Sequence, residues 1–519
     1  MPGFPRPRKR DLAASASVSR TRCGILHAAS QSRDRYENRY LLRPRLCSAP
    51  LREELRHSVS KTRVNALTAL RPGHGGAVCV AMLQYLSVRL QRRAAPTFGV
   101  IVQHKADVIV LGAGMVGVSA ALHLQQRGRD VMLVDRHERA GEETSYGNAG
   151  LIESASVFPY MFPRDFGQIV RTALNLSPAV RYAAGDLPQF LPWLVRYYLA
   201  SSPRRALHSA MAELPLIRRS RQEHEALIAE AGVPELLRNT GWIKLFRSET
   251  TLAAALGDFE RARQYGVEGE VLDARDIAAC EPNLSGEFAG AIRFPAPGFV
   301  PDPGGLAKAY AALFARKGGR FLVGDARTLE QQGASWRVAG GDGAIVAREI
   351  VVALGPWSDQ VFGPLGYSIP LAVKRGYHLH LKPRGNAMLA HPVLDSDQGF
   401  LLAPMTRGIR LTTGVEFAGR DSPPTPIQLE RALPKARALF PLGEPVEAKP
   451  WMGARPCLPD MLPVIGRAPR HPGLWFDFGH QHHGLTLGPA TGRLLAELMT
   501  GETPFADPAP FRVERFSRT

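Results

Sequence analysis

Cysteine is scarce in this 519-residue chain. There are five, Cys23, Cys47, Cys79, Cys280 and Cys457, none in CxxC spacing and three within the first hundred positions. That argues against a disulfide framework or a zinc site and fits a reducing compartment. Long apolar runs are missing too. The longest in the leader, Ala77 to Leu83, falls far short of the ~18 residues a membrane-spanning helix needs. The chain therefore reads as cytoplasmic, with peripheral contact at the inner face of the cytoplasmic membrane left open.

Acids are thin at the start of the chain. In residues 1–100, 19 Lys and Arg face five Asp and Glu, so 14 of the 18 surplus positive charges sit there. A nucleic-acid partner is not expected, because no aromatic or motif pattern accompanies these arginines. Residues 1–103 are rich in Arg, Ser, Ala and Pro, lack the period of a stable element, and are expected to form a disordered leader. A transit-like peptide, atypical at this length, is one reading. Another is upstream sequence read in frame, with Met82, the only methionine between Met1 and Met115, as the alternative start.

What the chain does have begins at Asp107-Val-Ile-Val-Leu111, a short buried strand. It runs into Gly112-Ala113-Gly114-Met115-Val116-Gly117, a helix from Val118 to Gly128, and a second strand Val131 to Val134 that ends at Asp135. This is one βαβ half-unit. Gly112 allows the tight turn, Gly114 the approach of a pyrophosphate and Gly117 close packing of helix on strand, with the diphosphate on the helix N-terminus. Asp135, eighteen residues beyond Gly117, is placed to accept hydrogen bonds from a ribose. A bare glycine pattern is weak evidence; framed by two strands and an acid it specifies a dinucleotide.

A second glycine-rich loop follows, Gly141-Glu-Glu-Thr144-Ser145-Tyr-Gly147-Asn148-Ala149-Gly150-Leu151. Thr144 and Ser145 are expected towards phosphate, and Asn148 to Leu151 near the far end of the same cofactor. Amphipathic segments at 187–198 and 216–231 read as helices laid over a sheet. Asp302-Pro303 opens a helix that Gly318-Gly319 ends, and a final helix is expected from about Ala490 to Met499. Strands are expected at 320–323, 336–338, 345–353, 377–381 and 409–413.

The glycine turn with Asp135, Glu143-Thr-Ser145 through Leu151, Ala353-Leu-Gly355-Pro-Trp357-Ser358, Trp451 to Arg455-Pro456, Pro463-Val-Ile-Gly466 and His483-Gly484-Leu485-Thr486 stand in one order over about 104–500. In that order the chain resembles the FAD-dependent amino-acid oxidoreductases of the D-amino acid oxidase superfamily, and looks closest to the bacterial D-amino acid dehydrogenase branch. The resemblance implies an α/β fold. A Rossmann-type FAD-binding domain would be assembled from discontinuous segments, 104–195, 295–370 and 455–500. An α+β substrate domain with a large mixed sheet would take 196–294 and 371–454, and 501–519 would form a C-terminal tail.

The resemblance also implies FAD bound non-covalently, with Arg136, Ala326, Gly355 and Trp357 among its contacts. The helix after Gly484 would direct its amides at the flavin edge where negative charge collects on reduction. Arg455 matches the position that clamps the substrate carboxylate, a task suited to a planar guanidinium. Tyr377 would hydrogen-bond or cover the substrate, or else serve as a sheet aromatic. His480, His482 and His483 gather in one loop without HxxxH spacing, so they are read as shaping the cofactor pocket and not as metal ligands.

The implied reaction is hydride transfer from the α-carbon of a D-amino acid to flavin N5, giving an imino acid that hydrolyses to a 2-oxo acid and ammonium. Reoxidation would fall to a quinone first, or to oxygen. Oxidation of glycine, sarcosine or a proline derivative is the alternative within the class, and an NAD-dependent dehydrogenase the alternative outside it.

Overall fold

The computed structural model describes residues 103–516, so the expectations for the leader and for a start at Met82 lie outside the described residues. Its first sheet has seven strands. Arg320–Gln332, Val131–Asp135, Gln103–Leu111, Ala344–Val352 and Leu474–Phe478 run parallel in that order, with Val464–Arg467 antiparallel at one edge. Ser335–Gly340 completes an antiparallel meander between the first and fourth of these. Val108 to Leu111 and Val131 to Val134 are almost wholly buried, as near-continuous apolar runs in a parallel sheet should be.

Helices Met115–Gln126, Pro303–Arg316 and Gly484–Thr500 pack on one face of this sheet and share one apolar cluster with it. The helix at Pro303 starts as expected, with Asp302 accepting the Gly305 amide at 2.8 Å. The last helix starts six residues earlier than expected. Pro489 lies inside it and cannot donate to the Leu485 carbonyl four residues back; His224 Nε2 donates to that carbonyl instead, at 2.7 Å. The segment expected at 216–231 is likewise longer. It runs Pro203–Ala231, straight through Pro215.

The second sheet has eleven strands and mixes parallel with antiparallel pairs. At its centre Ala372–Pro383 pairs antiparallel with Gly408–Thr413, Val415–Phe417 and Trp451–Cys457. Hydrogen bonding places Val180–Tyr182 and Trp451–Cys457 in this sheet, whereas the sequence boundaries put 180–182 and 455–457 with the cofactor segments. Helix Ile427–Leu439 covers one face through Leu429, Ala432 and Ala436. After the last helix, the chain folds back and buries Phe511 in the apolar cluster of the first sheet.

Candidate functional site

Four of the parallel strands end at Leu111, Asp135, Val352 and Phe478, and a fifth passes Val323; Ala113, Arg136, Ala353 and His480, beyond those ends, line with Val323 one cavity of about 1610 Å³. Open α/β sheets bind ligands at these carboxyl ends. The volume exceeds the ~300–1,000 Å³ of ordinary small-ligand pockets, which leaves room for a long cofactor and a substrate together.

At the first end, Asp135 Oδ2 accepts the Ala113 amide at 2.7 Å and Oδ1 accepts the His137 amide at 2.9 Å. A carboxylate has about four acceptor positions, so two stay free for ribose hydroxyls. Arg136 stacks over Trp357, 4.2 Å from its ring centroid, and is tethered by Glu143. Ala326 and Gly355 line the same end. The guanidinium, the indole and the acid beside them form a slot that suits an adenosine.

Ala113, Gly114, Met115 and Val116 line the next stretch. Helix Met115–Gln126 begins at Gly114, which has no side chain to cap it, and carries no acid in its first turn, so its start can serve as an anion cradle. Ser145 Oγ accepts the Met115 amide at 2.9 Å and keeps its own proton to donate. Thr144 differs from expectation. It borders the cavity, but its hydroxyl donates to the Ala454 carbonyl at 2.9 Å and so ties the loop to the strand carrying Arg455.

Gly112, Gly117 and Gly150 stand behind the lining and act through packing. A Cβ on Gly117 would overlap the Gly112 carbonyl, and one on Gly150 the Val300 carbonyl, where φ is also +85°. Asn148 accepts the Gly150 amide at 2.9 Å and, with Ala149 and Leu151, lines the cavity.

At the far end Gly484, Leu485 and Thr486 open the last helix, again with no capping side chain and no acid in the first turn. Thr486 Oγ1 donates to the Leu151 carbonyl and accepts the Glu153 amide, both at 3.1 Å, so the helix start is fixed against Leu151–Ile152. His480 pairs with Thr491 and Asp477, at 3.0 and 3.3 Å, and His483 lies 3.6 Å from Glu213. These donors, cradle and slot fit FAD from adenosine to flavin.

Arg455 faces this end. Its Nη1 donates to the Gly414 carbonyl at 3.0 Å, and no Asp or Glu acts on it among the described residues. Burial pulls it below the usual arginine range. Gly376 makes room for it, since a Cβ there would come within 2.6 Å of Arg455 Nη2.

Tyr377 borders the cavity, yet its hydroxyl is turned away from it. It donates to Glu416 at 2.6 Å, accepts from Arg375 and Thr425, and its ring joins the core under helix Ile427–Leu439. Side chains alternate faces along a strand. Gly376 and its neighbours Lys374 and His378 therefore present the opposite face, towards Arg455.

Three cavity residues escaped the sequence reading. Lys374 is buried among aromatic rings. His378 stacks on Trp451 at 4.7 Å between centroids, and burial with Arg410 nearby pulls it down to about 2. Glu153 is buried with Oε1 unpartnered among the described residues, and burial holds it above the usual carboxylate range. Only Glu153 carried a signal, an acid two residues after the glycine loop.

The family described as FAD dependent oxidoreductase (DAO) matches residues 107–498. A D-amino-acid oxidase of Bradyrhizobium diazoefficiens is 32% identical over 423 residues, 79% of this chain and 98% of that protein. A D-amino acid dehydrogenase of Xylella fastidiosa is 33% identical over 405 residues, 76% and 91% of the two chains. The crystal structure of glycine oxidase from Geobacillus kaustophilus superposes with a TM-score of 0.63 at 23% identity, covering 80% of this chain and all of that one.

Proposed function

We propose, from the premise that this chain belongs to the FAD-dependent oxidoreductase family and is a flavin-dependent amino-acid oxidoreductase, that it oxidises D-amino acids to 2-oxo acids and ammonium. The family membership sets aside the nicotinamide alternative. The carrying observation is the Arg455 guanidinium, which lines the cavity at the flavin end with no Asp or Glu acting on it among the described residues. Non-covalently bound FAD supplies the hydride acceptor. The seven-stranded sheet with its helices is read as the cofactor domain and the eleven-stranded sheet as the substrate domain.

Arg455 receives the substrate carboxylate in a bidentate pair, and the Gly414 carbonyl keeps its fork from rotating. The start of helix Gly484–Thr500 places positive potential where charge develops during transfer. Positioning by these groups supplies most of the catalysis, with no side chain needed as base. The D-amino-acid names of both curated relatives support this reading over oxidation of glycine, sarcosine or a proline derivative, the alternative that the glycine oxidase fold keeps in view.

The test is Arg455→Ala, assayed anaerobically for flavin reduction with a D-amino acid panel. Loss of one charged anchor should weaken apparent substrate affinity by about a hundredfold, the equivalent of ~3 kcal/mol. Unchanged affinity sinks the assignment. Acid precipitation that leaves flavin on the protein would overturn non-covalent binding.

Quinone is the acceptor we favour, with oxygen second. Among the described residues no helix is long and apolar enough to cross a membrane. Helix Phe166–Ala173 buries none of its residues; it lines the cavity mouth with Gln168, Ile169 and Arg171 while leaving Phe166 79% exposed. Leu174, Leu176, Leu191 and Val195 are exposed close by in the chain, as are Arg164, Arg171 and Arg196. Apolar side chains among arginines suit an anionic bilayer surface, from which a lipophilic quinone would reach the mouth.

A further inference from the structure

Strands Ala372–Pro383 and Trp451–Cys457 pair in a register that sets Lys374 directly opposite Arg455. Residues so opposed project to the same face with Cβ atoms about 5 Å apart, and both line the cavity. Lys374 is only 6% exposed. Its Nζ lies 4.3 Å from the Tyr197 ring centroid, 5.2 Å from Trp193 and 5.6 Å from Phe417, and it donates to the weak acceptor Met461 Sδ at 3.9 Å.

No Asp or Glu acts on Lys374 among the described residues, just as none acts on Arg455. Like charges opposed across a strand pair destabilise a sheet, and burial adds a desolvation cost. The three rings offset part of this by cation–π attraction. One anion in front of the pair answers one charge and leaves the other. Two anionic groups on one ligand answer both.

We propose that Lys374 is a second anion anchor beside Arg455, and that the site takes amino acids carrying a further carboxylate on a short side chain. The inference rests on the reading of Arg455 as the receiver of the α-carboxylate. Lys374 meets the side-chain carboxylate and selects the substrate without touching the reacting carbon. A 2-amino dicarboxylic acid of four or five carbons is the expected class.

The FAD-loaded full chain is titrated with glutarate and with valerate, which share a five-carbon skeleton, and binding is read from the flavin spectrum. Glutarate should bind at least roughly tenfold more tightly, the worth of one charged hydrogen bond. Lys374→Met should abolish that ratio, and Lys374→Arg should largely restore it, which separates recognition from a folding defect. Equal binding of the two acids by the wild type, or an equal loss of both in Lys374→Met, overturns the anchor.

Anaerobic flavin reduction by D-glutamate, D-norvaline and D-arginine completes the test. D-Glutamate should act at the lowest concentration. Preference for D-arginine overturns the anchor. If none reduces the flavin while glutarate selectivity persists and depends on Lys374, the anchor stands and the oxidation reading falls.

Discussion

Asp135 Oδ2 accepts the Ala113 amide at 2.7 Å, so the acid that ends the second strand also fixes the glycine turn of the first. In the proposed FAD site, one carboxylate would thus shape the pyrophosphate cradle and face the ribose. Asp135→Ala removes both contributions. Each charged hydrogen bond is worth about 1.5–3 kcal/mol, so FAD affinity should fall by roughly a hundredfold or more. Flavin content after purification and reconstitution of the apoprotein measure it, and full retention of flavin would discard the dual role.

That turn was legible because its determinants are local: a strand, three glycines, a helix and an acid within about thirty residues. The helix at Asp302-Pro303 was legible for the same reason. Tyr377 was not, since period-two alternation says that it and Lys374 face opposite ways but not which way the cofactor lies. Lys374 gained meaning only from a strand register near Arg455 and a helix near Trp193, both distant in sequence. Pro489 fits inside the last helix because His224 takes up the carbonyl it leaves free, a contact from far away in sequence.

Gly376 is required by space, not by backbone conformation. A methyl group there would press on the Arg455 guanidinium at 2.6 Å, and that guanidinium is held from behind by the Gly414 carbonyl. Gly376→Ala should therefore displace the carboxylate clamp and leave the adenosine end intact. The expected result is full flavin content with about a tenfold or greater rise in KM, following the weakening of one charged pair. Loss of flavin with KM unchanged would contradict this division of labour.

Helix Phe166–Ala173 should hold the protein on anionic vesicles. Replacing Phe166, Leu174 and Leu176 by Ser removes exposed apolar groups without touching a packed core. Full burial of each in a bilayer surface contributes about 1.5–3 kcal/mol, so the triple variant should cosediment with vesicles at least a hundredfold less well. Reduction of a vesicle-borne quinone should fall in parallel, while reduction of a soluble dye should not. Equal sedimentation of both proteins would remove this surface from consideration.

Acid should destabilise the fold through its buried histidines. Burial pulls His123 and His224 down to about 4, and burial with the Arg410 charge pulls His378 down to about 2, all from an ordinary 6.5. Folded values so depressed mean that the unfolded chain binds the extra protons. The stability these groups contribute is present above 6.5 and is lost as pH falls below it, at about 1.4 kcal/mol per pH unit for each histidine. Glu153 and Asp477 act in the opposite sense, because burial raises their carboxyls, so the bulk slope is a balance and one histidine must be isolated. His378 serves, since it is buried and stacks on Trp451. His378→Phe keeps the stack and removes the proton. Denaturant titrations between pH 6.5 and 5 should show a slope shallower by about one proton in the variant, and identical slopes would mean that His378 is not buried neutral in the folded protein.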